Sequence, residues 1–188
     1  MSTPKYIIIH HSGSDYVRPQ FNGVNEWHKQ QGYPLSTLNY HCGYHYFLET
    51  DAFLIQARLE NDDGAHTIGH NQDSIGICLA GDFNSGSPTV AQTIVLKNLL
   101  IKLQEKYQIP LANIIPHRQG QANRSCYGWK LDNDWAKNLL NENLEKKLSM
   151  LKTLLELYQK LLSIRQKLGS QQKNDTACWM EDNKKVNL

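Results

Sequence analysis

Over roughly the first 140 positions, short apolar runs alternate with longer segments of helical period, and Gly, Pro or Asp/Asn clusters separate them. Tyr6 to His10, with Ile7-Ile8-Ile9 at its centre, reads as a buried strand. Asn22 to Gln31 carries a short helical pattern with Val24 and Trp27 inward, closed by Gly32. Tyr44 to Leu48 and Phe53 to Ala57 read as strands around the turn-like Glu49-Thr50-Asp51-Ala52, and Ser74 to Ala80 as another strand, ended by Gly81. Ser87 as N-cap and Pro88 at the first helical position open a helix running from Thr89 to Tyr107. Ile94, Leu96, Leu99, Leu100 and Leu103 share one side of it, and Ile109-Pro110 ends it. Ile114-Ile115 forms a last short strand that delivers His117. Strands interleaved with helices predict an α/β or α+β domain over residues 1–140.

After Leu139 the pattern changes, and no Gly or Pro occurs up to Leu168. Leu144, Leu148, Leu151, Leu155, Tyr158 and Leu162 form one helical seam, and Leu154, Leu157, Leu161, Ile164 and Leu168 a second beside it. Together they span roughly 200° of a helix, more than one packing face requires. An amphipathic helix over residues 141–168 is therefore expected to bury itself against the preceding domain, a second copy of itself, or a membrane or wall surface. Lys146, Lys147, Lys152, Lys160, Arg165 and Lys167 suit the last of these. Residues 169–188 read as a polar, flexible tail in which Trp179 is the large apolar residue.

Composition narrows the partners more than the fold. Of 188 residues, 40% are hydrophobic and 20% charged, which is enough for a real core. The formal net charge of +2 is too mild to argue for nucleic acid, yet it does not repel an anionic polymer such as a cell wall. Cys42, Cys78, Cys126 and Cys178 are too scattered for a disulfide framework, and Cys78 lies in the apolar run Ile75-Gly76-Ile77-Cys78-Leu79, as a buried thiol would. The N-terminal residues enter a strand without a secretory apolar segment, so the expectation is a protein made in the cytoplasm. No run approaches the ~18 apolar residues that a membrane span needs.

His10 and His117 each follow a short apolar run, the position from which a strand delivers a side chain to a cleft, and Cys126 stands nine residues after His117. Two imidazoles and a thiolate make a three-ligand set for zinc, and a fourth position left to water makes such a site catalytic. His11 would face the opposite way from His10, as a hydrogen-bonded bystander. His66 and His70 have helical metal-pair spacing, but Gly64 and Gly69 argue against a helix there. His41 and Cys42 suit structural roles, and His28 the surface or a groove rim.

Several blocks now follow in order: Ile7-Ile8-Ile9-His10-His11-Ser12, Glu26-Trp27-His28, Gly43-Tyr44-His45-Tyr46 and Gly64-Ala65-His66-Thr67-Ile68-Gly69-His70-Asn71. Ser74-Ile75-Gly76-Ile77-Cys78-Leu79-Ala80-Gly81-Asp82-Phe83, Pro116-His117-Arg118 and Cys126 complete the series. Over roughly residues 5–135 this order resembles the zinc-dependent N-acetylmuramoyl-L-alanine amidases of the type 2 family, which includes phage lysozyme-type amidases and animal peptidoglycan recognition proteins. The resemblance implies an α/β fold with a central mixed β-sheet flanked by helices, here followed by the C-terminal helix. It implies Zn2+ on His10, His117 and Cys126, with Tyr44 as the active-site tyrosine and His66 lining the substrate groove beside Trp27 and His45. Arg124 falls where the family usually has lysine or threonine. The loop from His117 to Cys126 is about a residue longer than the commonest form, which leaves Asn123 and Ser125 as alternatives to Arg124. Cys126-Tyr127-Gly128 stands where the family commonly has Cys-Pro-Gly.

The implied activity is hydrolysis of the amide between N-acetylmuramic acid and the L-alanine of the stem peptide in peptidoglycan. The expected setting is that of a phage or prophage endolysin reaching the wall after release. A cytoplasmic wall-recycling amidase acting on muropeptides is one competing reading. A non-catalytic peptidoglycan-binding module is another, but that branch of the family typically loses the cysteine, which is present here as Cys126, and a third is an interaction protein acting through the leucine-rich helix with the fold as scaffold.

Overall fold

The computed structural model describes residues 3–15, 19–141 and 148–165. The chain divides into two compact units, Met1–Asn141 and Glu142–Leu188. In the first, β1 (Tyr6–His11), β2 (Tyr46–Leu48), β3 (Leu54–Gln56), β4 (Ser74–Leu79) and β5 (Ile114–Pro116) form one sheet in the order β3-β2-β4-β1-β5. β3 pairs antiparallel with β2 and every other pairing is parallel, so the sheet is mixed. The helices are α1 (Phe21–Gln30), α2 (Val90–Tyr107) and the single turn α3 (His117–Gly120), followed by helical residues 135–141.

The alternation of β1 decides which face carries the chemistry. Ile7 and Ile9 join Ile75, Ile77 and Leu79 of β4 in a core with Leu96, Leu99, Leu100 and Leu103 of α2. Ile8 and His10 pair with Gly76 and Cys78 and point the other way, because successive strand residues face opposite sides. On that face Phe47, Cys78 and Ala80 pack with Phe21 of α1. β1 therefore runs buried along its length and releases His10 at its C-terminal end, where α/β sheets present their ligands.

Details of the helices differ from the sequence expectation. α2 is capped by Thr89, not Ser87: the Thr89 hydroxyl accepts from the Gln92 N–H at 3.0 Å, and the Gln92 side chain accepts from the Thr89 N–H at 3.0 Å. This reciprocal pair satisfies two helix-end donors together, which a lone Ser87 could not do. Ile94 is exposed, since the buried stripe is Leu96, Leu99, Leu100 and Leu103 together with Gln92. In α1 the buried residues are Phe21 and His28, and Trp27 is 53% exposed.

α1 has no cap from its own side chains. Glu49, 4% exposed at the end of β2, supplies one: its carboxylate accepts from the Gln20 N–H at 2.8 and 2.9 Å and from the Phe21 N–H at 2.7 Å. A buried carboxylate at a helix N-terminus is a charge-assisted cap, and without it two buried donors are orphaned. Glu49→Ala is expected to lower stability by about 2–3 kcal/mol in urea titration. An unchanged midpoint would show that water or a shifted side chain replaces the carboxylate.

Of the second unit, the helical residues 148–165 are described. Leu148, Leu151, Leu155, Tyr158 and Leu162 of the first seam and Leu154, Leu157, Leu161 and Ile164 of the second are all exposed. Leu144, Leu168 and the tail with Trp179 lie outside the described residues. No helix among the described residues is long and apolar enough to cross a membrane.

Candidate metal centre and substrate cleft

Three separate pieces of chain bring one donor each to the end of β1. His10 comes from the strand, His117 from the first position of α3, and Cys126 from the loop that follows. One potential ligand atom from each lies within 4.8 Å of the other two, and among the described residues this is the group that could hold a metal ion. The loop is seated tightly. Tyr127 is fully buried, and a Cβ on Gly128 (φ +95°) would lie 2.2 Å from the backbone of Phe83, so only glycine lets the chain pass there.

The ring orientations are fixed from behind. His10 Nε2 lies 3.1 Å from His66 Nδ1 and 3.4 Å from the Thr67 hydroxyl, while His10 Nδ1 faces Cys126 Sγ at 3.7 Å. His117 Nε2 is 3.0 Å from Gln121 Oε1, which leaves its Nδ1 for a ligand. Such outer partners set the tautomer and aim of a metal-binding imidazole. Cys126 Sγ accepts from the His11 N–H at 3.3 Å.

The charge states follow from burial. Burial holds His10 well below the usual histidine range, reinforced by His66 and His117. His117 is lowered by burial and by Arg124, against an opposing hydrogen bond to Gln121. Both imidazoles are thus neutral, the form that binds metal. Burial pushes the Cys126 thiol up to about 12, although the His11 N–H and the Arg118 and Arg124 guanidiniums favour the thiolate. A divalent cation among these donors would complete that bias, since a coordinating thiol is deprotonated outright. The donor set fits zinc: two neutral imidazoles and one thiol, with His117 lining an open cleft.

That cleft, of about 340 Å3, is lined by Trp27, His28, Tyr33, Tyr44, Ala65, His66, Thr67, Ile68, Asn71, His117, Gln121 and Arg124. Tyr44 sits with its ring 4.9 Å from that of His10, and burial raises its pKa well above the usual tyrosine value, so its O–H stays a donor. Arg124 is exposed and also lines the cleft. Asn123 and Ser125 are absent from the lining. Trp27 stands at the rim.

The structure corrects the expectation for His45, which lines no substrate groove. It is fully buried, with Nδ1 accepting from the Gly76 N–H at 3.0 Å and Nε2 at 3.0 Å from the Asp62 carbonyl. Tyr44 and His45 precede β2, so they do not alternate as strand residues. His28, expected at the surface or rim, is 3% exposed, accepts from the Gly43 N–H at 3.1 Å and stacks on Tyr33 with centroids 4.3 Å apart.

His66 does line the cleft, and it also stands behind His10. A Cβ on Gly76 or Gly64 would meet its ring at 2.5 Å, so two glycines make its seat. His11 turns away, accepting from the Phe83 N–H at 3.0 Å. Thr67 and Gln121 were missed from the sequence. The i, i+4 spacing of His117 and Gln121 on one helical turn was the available signal for the second.

Comparison with known proteins gives the family. Residues 1–129 match the family model described as N-acetylmuramoyl-L-alanine amidase. The endolysin of Enterobacteria phage T3 is 31% identical over 148 residues, covering 74% of this chain and 90% of the relative. The amidase LysC of Clostridium intestinale URNW superposes with a TM-score of 0.63 at 29% identity, over 74% of this chain and 86% of that one. A mutant of Drosophila PGRP-LB in complex with tracheal cytotoxin gives a TM-score of 0.59 at 26% identity, over 69% and 79%. With the family model matched over residues 1–129, a phage endolysin 31% identical over 74% of the chain, and the fold shared with a solved amidase, the chain belongs to the N-acetylmuramoyl-L-alanine amidase family.

Proposed function

We propose that this peptidoglycan amidase is zinc-dependent and works as an endolysin, hydrolysing the amide between the muramic acid lactyl group and the L-alanine of the stem peptide. The observation that carries the reading is the convergence of His10, His117 and Cys126 beside a cleft that also holds Tyr44 and Arg124. When bound there, zinc would supply Lewis acidity and lower the pKa of water towards ~7.

The chain's own residues do the rest. The Tyr44 O–H donates a hydrogen bond towards the oxygen of the scissile carbonyl, where negative charge develops on attack. Arg124 brings a guanidinium charge to the cleft lip and serves as an electrostatic partner rather than a proton donor. His66 and Thr67 hold the His10 ring, and Gln121 holds His117, so the donors need not reorganise during the reaction. Trp27 offers an apolar wall to the substrate at the rim. The complete donor set, Cys126 included, favours an enzyme over a binding module.

Mass spectrometry of purified peptidoglycan incubated with the protein tests this reading. Stem peptides beginning in L-alanine are expected, lost with a zinc chelator and restored by zinc. Intact muropeptides under all conditions, with protein still bound to the wall, would give the function to binding. Cleavage of soluble muropeptides while polymer stays intact would favour recycling.

A further inference from the structure

Next to the catalytic cleft lies a second, open groove of about 490 Å3, lined by Arg118, Arg124, Trp129, Leu131, Asp132 and Asn133 among others. The two share Arg124, which therefore stands at their junction. Trp129 is 68% exposed, and its ring packs against Arg118. The Arg118 guanidinium lies 5.2 Å from its ring and 5.3 Å from that of the buried Tyr127.

Arg118 is itself fixed at every nitrogen. Nε donates to Asn133 Oδ1 at 2.6 Å, Nη2 to the Leu131 carbonyl at 2.6 Å, and Nη1 to the Gly128 carbonyl. These acceptors are neutral. Among the described residues neither Arg118 nor Arg124 forms an ion pair with a carboxylate. The groove is thus a preorganised indole platform backed by one cation and entered past another.

We propose that this groove is a subsite for the part of the stem peptide beyond L-alanine, whose free carboxylate pairs with Arg124 while its backbone and aliphatic groups stack on Trp129. The chemistry matches. Arginine pairs with carboxylates in a bidentate way, and a rigid exposed indole offers contact area with little loss of entropy. The stem peptide is the anionic arm of the substrate at the scissile amide, whereas the glycan arm carries neutral pyranoses. With two guanidiniums against the one carboxylate of Asp132, a net-positive groove opening off the cleft suits the former. This assignment rests on the amidase reading and adds its direction: the peptide leaves the cleft over Arg124, towards Trp129.

The test compares Trp129→Ala and Trp129→Phe with the wild type on N-acetylmuramoyl-L-alanine and on an N-acetylmuramoyl tripeptide. For Trp129→Ala the KM for the tripeptide substrate is expected to rise about tenfold with kcat little changed, while the L-alanine substrate is unaffected. Trp129→Phe is expected to restore most of the difference. Equal losses on both substrates, or an unchanged KM for the tripeptide form, would overturn the proposal. So would a loss that follows glycan length instead. Calorimetry with the free stem tripeptide separates the subsite from the activity. If the wild type cleaves neither substrate, the amidase reading fails, but a Kd about tenfold weaker in Trp129→Ala still supports the groove and an equal Kd rejects it.

Discussion

Cys126→Ser is expected to remove bound zinc and to lower peptidoglycan hydrolysis by at least about 10³-fold, with the fold intact. A catalytic cation is worth several kcal/mol of charge stabilisation, and each 1.36 kcal/mol is a decade of rate, so ~4 kcal/mol gives that factor. Serine is nearly isosteric and can still accept the hydrogen bond that the His11 N–H gives to Cys126 Sγ at 3.3 Å. Its hydroxyl is far harder to ionise than a thiol, so His10 and His117 remain as a pair of neutral donors without an anionic third. The surroundings are insensitive to the exchange. Tyr127 next to it is anchored separately, its hydroxyl donating to the Asp132 carbonyl at 2.8 Å. Metal analysis of the purified variant, its melting curve and its rate on peptidoglycan check the three parts together. Full activity in the Cys126→Ser variant would end the ligand assignment, and a collapsed melting curve would show that Cys126 serves the fold instead.

What the sequence made legible was the regular part of the site. The apolar run before His10 is a strand whose period-2 alternation puts Ile7 and Ile9 in one core and His10 on the opposite face, and the run before His117 ends one residue short of it. The loop-borne residues followed no period. Tyr44, His66 and Arg124 could be placed by family resemblance alone, since nothing local sets their direction. His66 reaches His10 because Gly64 and Gly76 leave a hole the size of an imidazole, a relation between residues up to twelve positions apart.

Polar groups buried to satisfy backbone donors were the hardest to read. The resemblance put His45 in the groove, and His28 was expected at the surface or rim, where it does line the cleft but from a buried seat. Here they accept from the Gly76 N–H, in β4 just before its pairing with β2 begins at Ile77, and from the Gly43 N–H in the segment ahead of β2. For Trp27 the helical pattern, which put it inward, and the resemblance, which put it in the groove, pointed different ways. An apolar residue at helical spacing is ordinarily core, and only the packing of Phe21 and His28 beneath α1 shows that the Trp27 ring is left for the cleft.

Tyr44→Phe separates metal binding from catalysis. The expected result is a fall in kcat of about 10²–10³-fold, the usual effect of removing one donor to a developing oxyanion, with KM and zinc content unchanged. The hydroxyl is the right group for the task, because burial keeps its pKa well above the ordinary tyrosine value and so keeps the proton on it. Phenylalanine preserves the ring contacts, with centroids 4.9 Å to His10 and 5.4 Å to His28, so the donor set behind it should stand. A donor used equally in ground and transition states would raise KM and leave kcat alone, so the split between the two constants reports when the hydrogen bond matters. An unchanged kcat would transfer the oxyanion role to Arg124. Zinc lost along with activity would instead mean that the hydroxyl supports the metal centre, and that Tyr44 belongs with His66 and Gln121 among the residues that aim the ligands.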